Sequence, residues 1–176
     1  EILILKFQKD IILFIDSKVL ETISRCVDNS NPNEAFGLIL GPQPKEIPLG
    51  FDKGFQYHYY GEKFECIESS EKSPVSFLMD NTIKLFEIVE QAILKYNLRV
   101  LSIFHSHPSG AHPSGFDNNY MKFLNESHDK VYNSVYNVRI GFKNQIWTIM
   151  DSDNKDLNGF VYLNEELIQI SIKVKD

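Results

Sequence analysis

The sequence predicts an α/β (α+β) fold, a β-sheet with helices packed against it, and two observations carry this. Apolar runs with no helical polar face, such as Phe36-Gly37-Leu38-Ile39-Leu40, recur between turn-forming clusters. Between them lie segments with apolar residues at helical spacing, the longest being Asp80 to Tyr96. The 176 residues, 43% hydrophobic and 24% charged, fit one compact domain. A chain of this size buries roughly 70% of its unfolded surface, so a core forms without disulfide or metal staples and a metal would serve chemistry.

Taken in order, Ile11 to Ile15 is a short strand, and Asp16-Ser17 caps a helix whose Val19, Leu20, Ile23 and Val27 recur at helical spacing. The turn formers Asp28 to Asn33 end that helix. A strand starting near Glu34 runs through Phe36 to Gly41 until Pro42, Pro44 and Pro48 stop it. Tyr57 to Tyr60 and Phe64 to Ile67 are further strands. Asp80 to Tyr96 is a helix capped by Asp80 or Asn81, with Ile83, Phe86, Val89 and Ile93 on one face joined by Leu85 and Leu94, and Asn97 breaks it. Leu98 to Phe104 reads as a central strand that delivers the chain into His105-Ser106-His107-Pro108. Asp117 to Glu126 is a helix, and Val138 to Phe142 with Gln145 to Met150 forms a hairpin around Lys143-Asn144. The last third is mostly strand, ending in Ile168 to Val174.

Lys plus Arg number 18 against 24 Asp plus Glu, and the net charge of −6 disfavours nucleic acid or an anionic membrane surface as main partner. No run approaches the ~18 to 20 apolar residues that span a bilayer, and no secretory signal is read. Cys26 and Cys66 are too few for a disulfide framework and do not form a Cys-x-x-Cys pair, so a reducing cytoplasm is the expected compartment.

His105 and His107, two apart on an extended segment, point to one side and can share a metal. Asp117, at the start of the next predicted helix, can return a carboxylate oxygen to it. Three protein ligands leave a fourth position for water, the arrangement of a catalytic zinc site, and zinc lowers the pKa of such a water from ~15.7 toward ~7. A base must still move protons, and Glu34, a lone acid beside the apolar run Ala35 to Leu40, is the candidate. Ser114 can donate to an oxyanion, or cap the helix by accepting from the Asp117 amide. His112 reads as a loop residue, His58 and His128 as surface residues, and Tyr57 to Tyr60 as packing.

Four segments together resemble the JAMM/MPN zinc metalloprotease family, over about Ile12 to Met150. They are Glu34-Ala35-Phe36-Gly37-Leu38-Ile39-Leu40-Gly41, Phe77-Leu78-Met79-Asp80 ahead of a helix, His105-Ser106-His107-Pro108, and Pro113-Ser114-Gly115-Phe116-Asp117. The resemblance implies an MPN/JAB, cytidine-deaminase-like fold, with a curved, mixed, mostly antiparallel sheet flanked by helices. It implies a single domain over residues 1–176, with a core at about 12–150 and a C-terminal extension at 151–176. One Zn2+ per chain would sit on His105, His107 and Asp117, with Glu34 as general acid/base through the bound water and Ser114 steadying the oxyanion. The implied substrates are conjugates of ubiquitin or a ubiquitin-like protein, and the implied assemblies a partner MPN subunit or a proteasome-like complex. The modifier's tail would add as a strand in a groove walled by the loops Pro42 to Phe55 and Glu68 to Pro74. A basic face on the modifier would suit the net charge of −6.

Two positions depart from the family pattern. Six residues, Pro108 to Pro113, separate His107 from Ser114 where the family has seven. Strict counting would choose Asn118 as ligand, but a neutral amide is a poor zinc ligand beside the Asp117 carboxylate. Phe36 stands where relatives carry Cys, a position without a catalytic role. Processing of sulfur-carrier proteins is a second enzymatic reading, and a non-catalytic MPN scaffold subunit a third.

Overall fold

The computed structural model describes residues 10–126, 132–133, 139–140 and 145–176. Asp16 closes β1 (Ile11–Asp16) and starts α1 (Ser17–Ser30), its carboxylate accepting from Val19 N–H at 2.7 Å, a cap that contributes ~1 kcal/mol. There follow β2 (Phe36–Gly41), β3 (Lys45–Pro48), β4 (Phe55–Gly61), β5 (Lys63–Ile67), α2 (Pro74–Asp80), α3 (Thr82–Tyr96), β6 (Arg99–His107) and α4 (Gly115–Glu126). The chain ends with β7 (Tyr132–Asn133), β8 (Arg139–Ile140), β9 (Ile146–Asp151), β10 (Leu157–Leu163) and β11 (Glu166–Lys175).

The main sheet has nine strands in the order β3-β4-β1-β11-β10-β9-β6-β2-β5. β1 runs parallel to β4 and β11, and β6 to β9, while every other pair in it is antiparallel. β4 and β5 stand second and last in that order, yet only Glu62 lies between them in the chain. The sheet therefore curls until its two sides approach, and there Glu62 N–H donates to the Leu40 carbonyl at 2.9 Å. Gly41 lies in the same seam, where an added Cβ would fall 1.9 Å from the Tyr60 carbonyl oxygen. Gly41→Ala is expected to lower stability by ~1–3 kcal/mol, read as a lower urea midpoint, because backbone rather than a mobile side chain must give way. An unchanged midpoint would mean the seam can open freely.

Both faces of the central strands are covered, which explains the unbroken apolar run of β2. On one face α1 packs Val19, Ile23 and Val27 against Leu13, Ile39, Phe104 and Val161. On the other, Leu78 of α2, Leu85 and Val89 of α3 and Met121 of α4 meet Leu38, Ile103, Trp147 and Phe160. Burying each such side chain stabilises the fold by ~1.5–3 kcal/mol.

Several sequence expectations change here. Leu85, Val89 and Ala92 form the buried stripe of α3, while Ile83 is 67% and Leu94 49% exposed. That helix carries two overlapping apolar stripes, and tertiary packing selects one of them. Asp80 ends the unforeseen helix α2, which begins at Pro74, and Asn81 takes the cap position of α3 while its side-chain Nδ2 donates back to the Phe77 carbonyl at 2.8 Å rather than capping α3. Arg139–Ile140 pairs with Tyr132–Asn133 rather than with β9, whose two edges are already taken by β6 and β10. Val138 and the turn Lys143-Asn144 of the expected hairpin lie outside the described residues. Residues 151–176, expected as an extension, supply β10 and β11 in the middle of the sheet.

Candidate metal centre

β6 continues through both histidines because β9 runs beside it in parallel, pairing His107 with Asp151. The two-residue period of the strand puts both rings on one side, His105 buried and His107 half-buried. Helix α4 brings Asp117 to meet them. His105 Nε2 and His107 Nε2 lie 3.1 Å apart, and Asp117 Oδ2 is 3.2 Å from the first and 2.9 Å from the second.

The start of α4 fixes that carboxylate. Ser114 Oγ accepts from Asp117 N–H at 3.1 Å, and Asp117 Oδ2 accepts from Ser114 N–H at 2.8 Å. This reciprocal cap, ordinary at helix starts, here also aims an acid at two imidazoles. The Ser114 hydroxyl still has its own proton to donate. Asp117 is thus the acid that meets the histidines, whereas the main-chain N–H of Asn118 donates to the Ser114 carbonyl at 3.0 Å as part of the helix start.

Burial pushes the Asp117 carboxyl up, but hydrogen bonds from both imidazoles and from Ser114 N–H outweigh it and hold the group well below the usual carboxylate range. The hydrogen bond to Asp117 raises the His107 pKa against the opposing effect of burial, and the charges of Asp117 and Glu34 add to the rise. The backbone of His112 adds a smaller contribution in the same direction. His105 Nδ1 has no partner among the described residues, and the ring makes a T-shaped contact with Trp147 at 6.4 Å between centroids.

The residues fit a small cation. With both Nε2 atoms donating to the carboxylate, the two donors would face one another at 3.1 Å, so protons cannot satisfy all three short contacts. A tetrahedral ion with bonds of ~2.0–2.1 Å sets its ligand atoms ~3.3 Å apart, close to the spacing found, and a two-nitrogen, one-oxygen set suits zinc.

Glu34 reaches the same place through β2. Phe36 pairs with His105 in antiparallel register, and continuing that register by two residues sets Glu34 opposite His107. Ala35 N–H to Ser106 Oγ at 2.8 Å and Ser106 N–H to the Ala35 carbonyl at 3.1 Å extend the pairing. The Glu34 amide donates to the Lys72 carbonyl at 2.9 Å, and its Oε2 accepts from the Ser73 hydroxyl at 2.9 Å. A cavity of about 140 Å³, with Asn33, Glu34, Pro108 and Ser152 among its walls, opens beside it.

Sequence reasoning missed the residues that hold the short His107–Ser114 loop. Asp151 accepts from Gly110 N–H at 2.6 Å and from Asp153 N–H at 2.7 Å, and Asn158 Nδ2 donates to the Ala111 carbonyl at 3.0 Å. Gly110 has φ +85°, a conformation open to glycine at little cost. The run Asp151-Ser152-Asp153-Asn154 after an apolar strand was the available signal, though it names no partner. The Pro42 to Phe55 loop follows Gly41, which pairs with Arg99, so it leaves the opposite end of β2 from Glu34 and does not wall this site. The segment Lys72-Ser73 does adjoin it. His58 is half-buried on β4, bonded to Tyr60 and Gln56, and Tyr57 and Tyr59 pack on the α1-side core. His128 lies outside the described residues.

Cys26 of α1 and Cys66 of β5 are bonded to one another across 40 residues of sequence. The number and spacing of these cysteines, from which no disulfide was expected, could not show that β5 passes beside α1. Among the described residues no helix is long and apolar enough to cross a membrane.

The curled mixed sheet, with a His-His-Asp cluster able to hold a metal ion where a central strand ends, defines a domain of the JAB/MPN class. A family model described as prokaryotic homologs of the JAB domain matches residues 16–155, and the chain belongs to that family. In structure the chain is similar to a Desulfitobacterium hafniense protein solved in solution, with 18% identity, 93% of each chain covered and a TM-score of 0.60. A Salinibacter ruber protein solved in solution aligns at 14% identity over 92% of this chain and 91% of its own, with a TM-score of 0.50. A JAB1/MPN domain protein of Archaeoglobus fulgidus aligns at 14% identity over 92% of this chain and 98% of its own, with a TM-score of 0.47. At these identities the likeness to the first two is one of fold. No curated protein matches the sequence.

Proposed function

We propose that this chain is a zinc-dependent isopeptidase or metalloprotease that hydrolyses the (iso)peptide bond after the C-terminus of ubiquitin or a ubiquitin-like modifier. The observation that carries this reading is convergence: Glu34, the pair His105 and His107, and the pair Ser114 and Asp117 come from three stretches of chain and gather at one end of β6. A scaffold without chemistry has no need of that arrangement.

His105 Nε2, His107 Nε2 and Asp117 Oδ2 would hold one zinc ion, which supplies Lewis acidity and makes water a nucleophile near neutral pH. Glu34 does the proton work. Its Oε2 is taken by Ser73, and Oε1, unpartnered among the described residues, is the oxygen that accepts a proton and returns it to the leaving lysine amine. The Ser114 hydroxyl, itself accepting from the Asp117 amide, donates to the substrate carbonyl oxygen as negative charge builds there. One such donor accelerates acyl transfer by ~10²–10³-fold.

Incubating the zinc-loaded protein with a panel of ubiquitin-like conjugates, sulfur-carrier fusions included, tests the proposal. Release of the free modifier is expected, and cleavage of none would refute it. Chelation is expected to stop cleavage while far-UV circular dichroism and the dispersion of amide NMR signals persist, because the two apolar clusters supply the core. Unfolding on metal removal would contradict that separation of fold from chemistry. The same reading places the protein in the cytoplasm; the Cys26–Cys66 bond favours an oxidising compartment instead, and trapping of free thiols at cell lysis distinguishes the two.

A further inference from the structure

We infer that Ser73 is a positioning residue, holding the Glu34 carboxylate so that Oε1 is the oxygen presented to the reaction. The inference rests on the reading of Glu34 as the acid/base.

A glutamate carboxylate turns easily about its last torsion, which has broad, roughly two-fold preferences. A base free to turn spends much of its time aimed away from the proton it must take. Glu34 is tied at two levels to one short segment. Its main-chain N–H donates to the Lys72 carbonyl, and its Oε2 accepts the Ser73 hydroxyl proton, both at 2.9 Å. Ser76 Oγ lies 3.3 Å from Ser73 Oγ. The one proton of Ser73 thus has two acceptors in reach, and the shorter, charge-assisted contact to the Glu34 carboxylate is the stronger of the two. The segment is itself anchored: Pro74 is buried, and the Ser73 carbonyl accepts from Phe77 N–H at 3.2 Å. Among the described residues the Ser73 hydroxyl bonds to Glu34 and Ser76 and to none of His105, His107 and Asp117, so its effect on chemistry runs through Glu34.

The test compares wild type, Ser73→Ala and Ser73→Thr on the zinc-loaded protein. Ser73→Ala is expected to lower kcat by ~10–100-fold, as a small misplacement of a catalytic group does. KM and zinc content should stay at the wild-type level, and Ser73→Thr, which restores the hydroxyl, should recover kcat to within a few-fold. A purely structural role would reduce thermal stability without separating kcat from KM, and that result, or a wild-type kcat in Ser73→Ala, would overturn the inference. The second readout needs no turnover: the side-chain carboxyl ¹³C resonance of Glu34 should move in Ser73→Ala and return in Ser73→Thr. If wild type cleaves nothing, the proposed function fails by itself and this resonance decides the inference. A Glu34 signal identical in all three proteins would then overturn it.

Discussion

Replacing His107 by alanine is expected to abolish zinc binding and turnover together, whereas Glu34→Gln should keep one zinc per chain and still lose turnover by ~10²–10⁴-fold. The division follows from geometry. His107 Nε2 is one of three atoms that converge within 3.2 Å of each other, and its loss leaves Asp117 facing a single imidazole. Glu34 stands opposite His107 across β2 and β6 but belongs to no convergent set, its carboxylate being bonded to Ser73. Gln keeps the size and the acceptor for Ser73 while removing the basic oxygen. Metal analysis by mass spectrometry alongside the cleavage assay separates the two roles. Equal zinc loss in both variants would make Glu34 a ligand, and wild-type turnover in Glu34→Gln would remove it from the chemistry.

Reducing the Cys26–Cys66 bond is expected to cost about 4 kcal/mol of stability, the scale for a loop of this size in the chain-entropy view. The bond closes 40 residues of sequence, and Cys26 is buried against the α1-side core. The consequence for the site is local. Eight residues after Cys26 the chain reaches Glu34, and seven after Cys66 it reaches Ser73, so the cross-link ties the two segments that meet at the base. Urea titrations of oxidised and fully reduced protein measure the effect, and the double Cys26→Ala, Cys66→Ala variant controls for reductant. Coincident transitions in all three would show that the two segments are held without the bond.

Much of this was legible in the sequence because it was local. Asp16-Ser17 announces α1 by its capping chemistry, and Ser114-x-x-Asp117 announces α4 in the same way. His-x-His on a strand fixes the side to which both rings point. Asn97 ends α3 in the left-handed region, at φ 52°, which asparagine tolerates. What stayed hidden depended on which distant segments meet. The apolar pattern of α3 contains the buried stripe Leu85, Val89 and Ala92 but does not rank it above the stripe through Ile83. The place of β10 and β11 at the centre of the sheet follows from the pairing of β11 with β1, far away in sequence. Ser73, Asp151 and the Cys26–Cys66 pair are ordinary in composition and acquire their roles only when the sheet curls.

The central claim is that His105, His107 and Asp117 form one metal site at the end of β6. X-ray diffraction from crystals of the zinc-loaded protein, recorded on both sides of the zinc absorption edge, tests it most directly. A single anomalous peak is expected within bonding distance of His105 Nε2, His107 Nε2 and an Asp117 carboxylate oxygen. A fully loaded crystal with no peak there, or with its zinc held by other side chains, would contradict it.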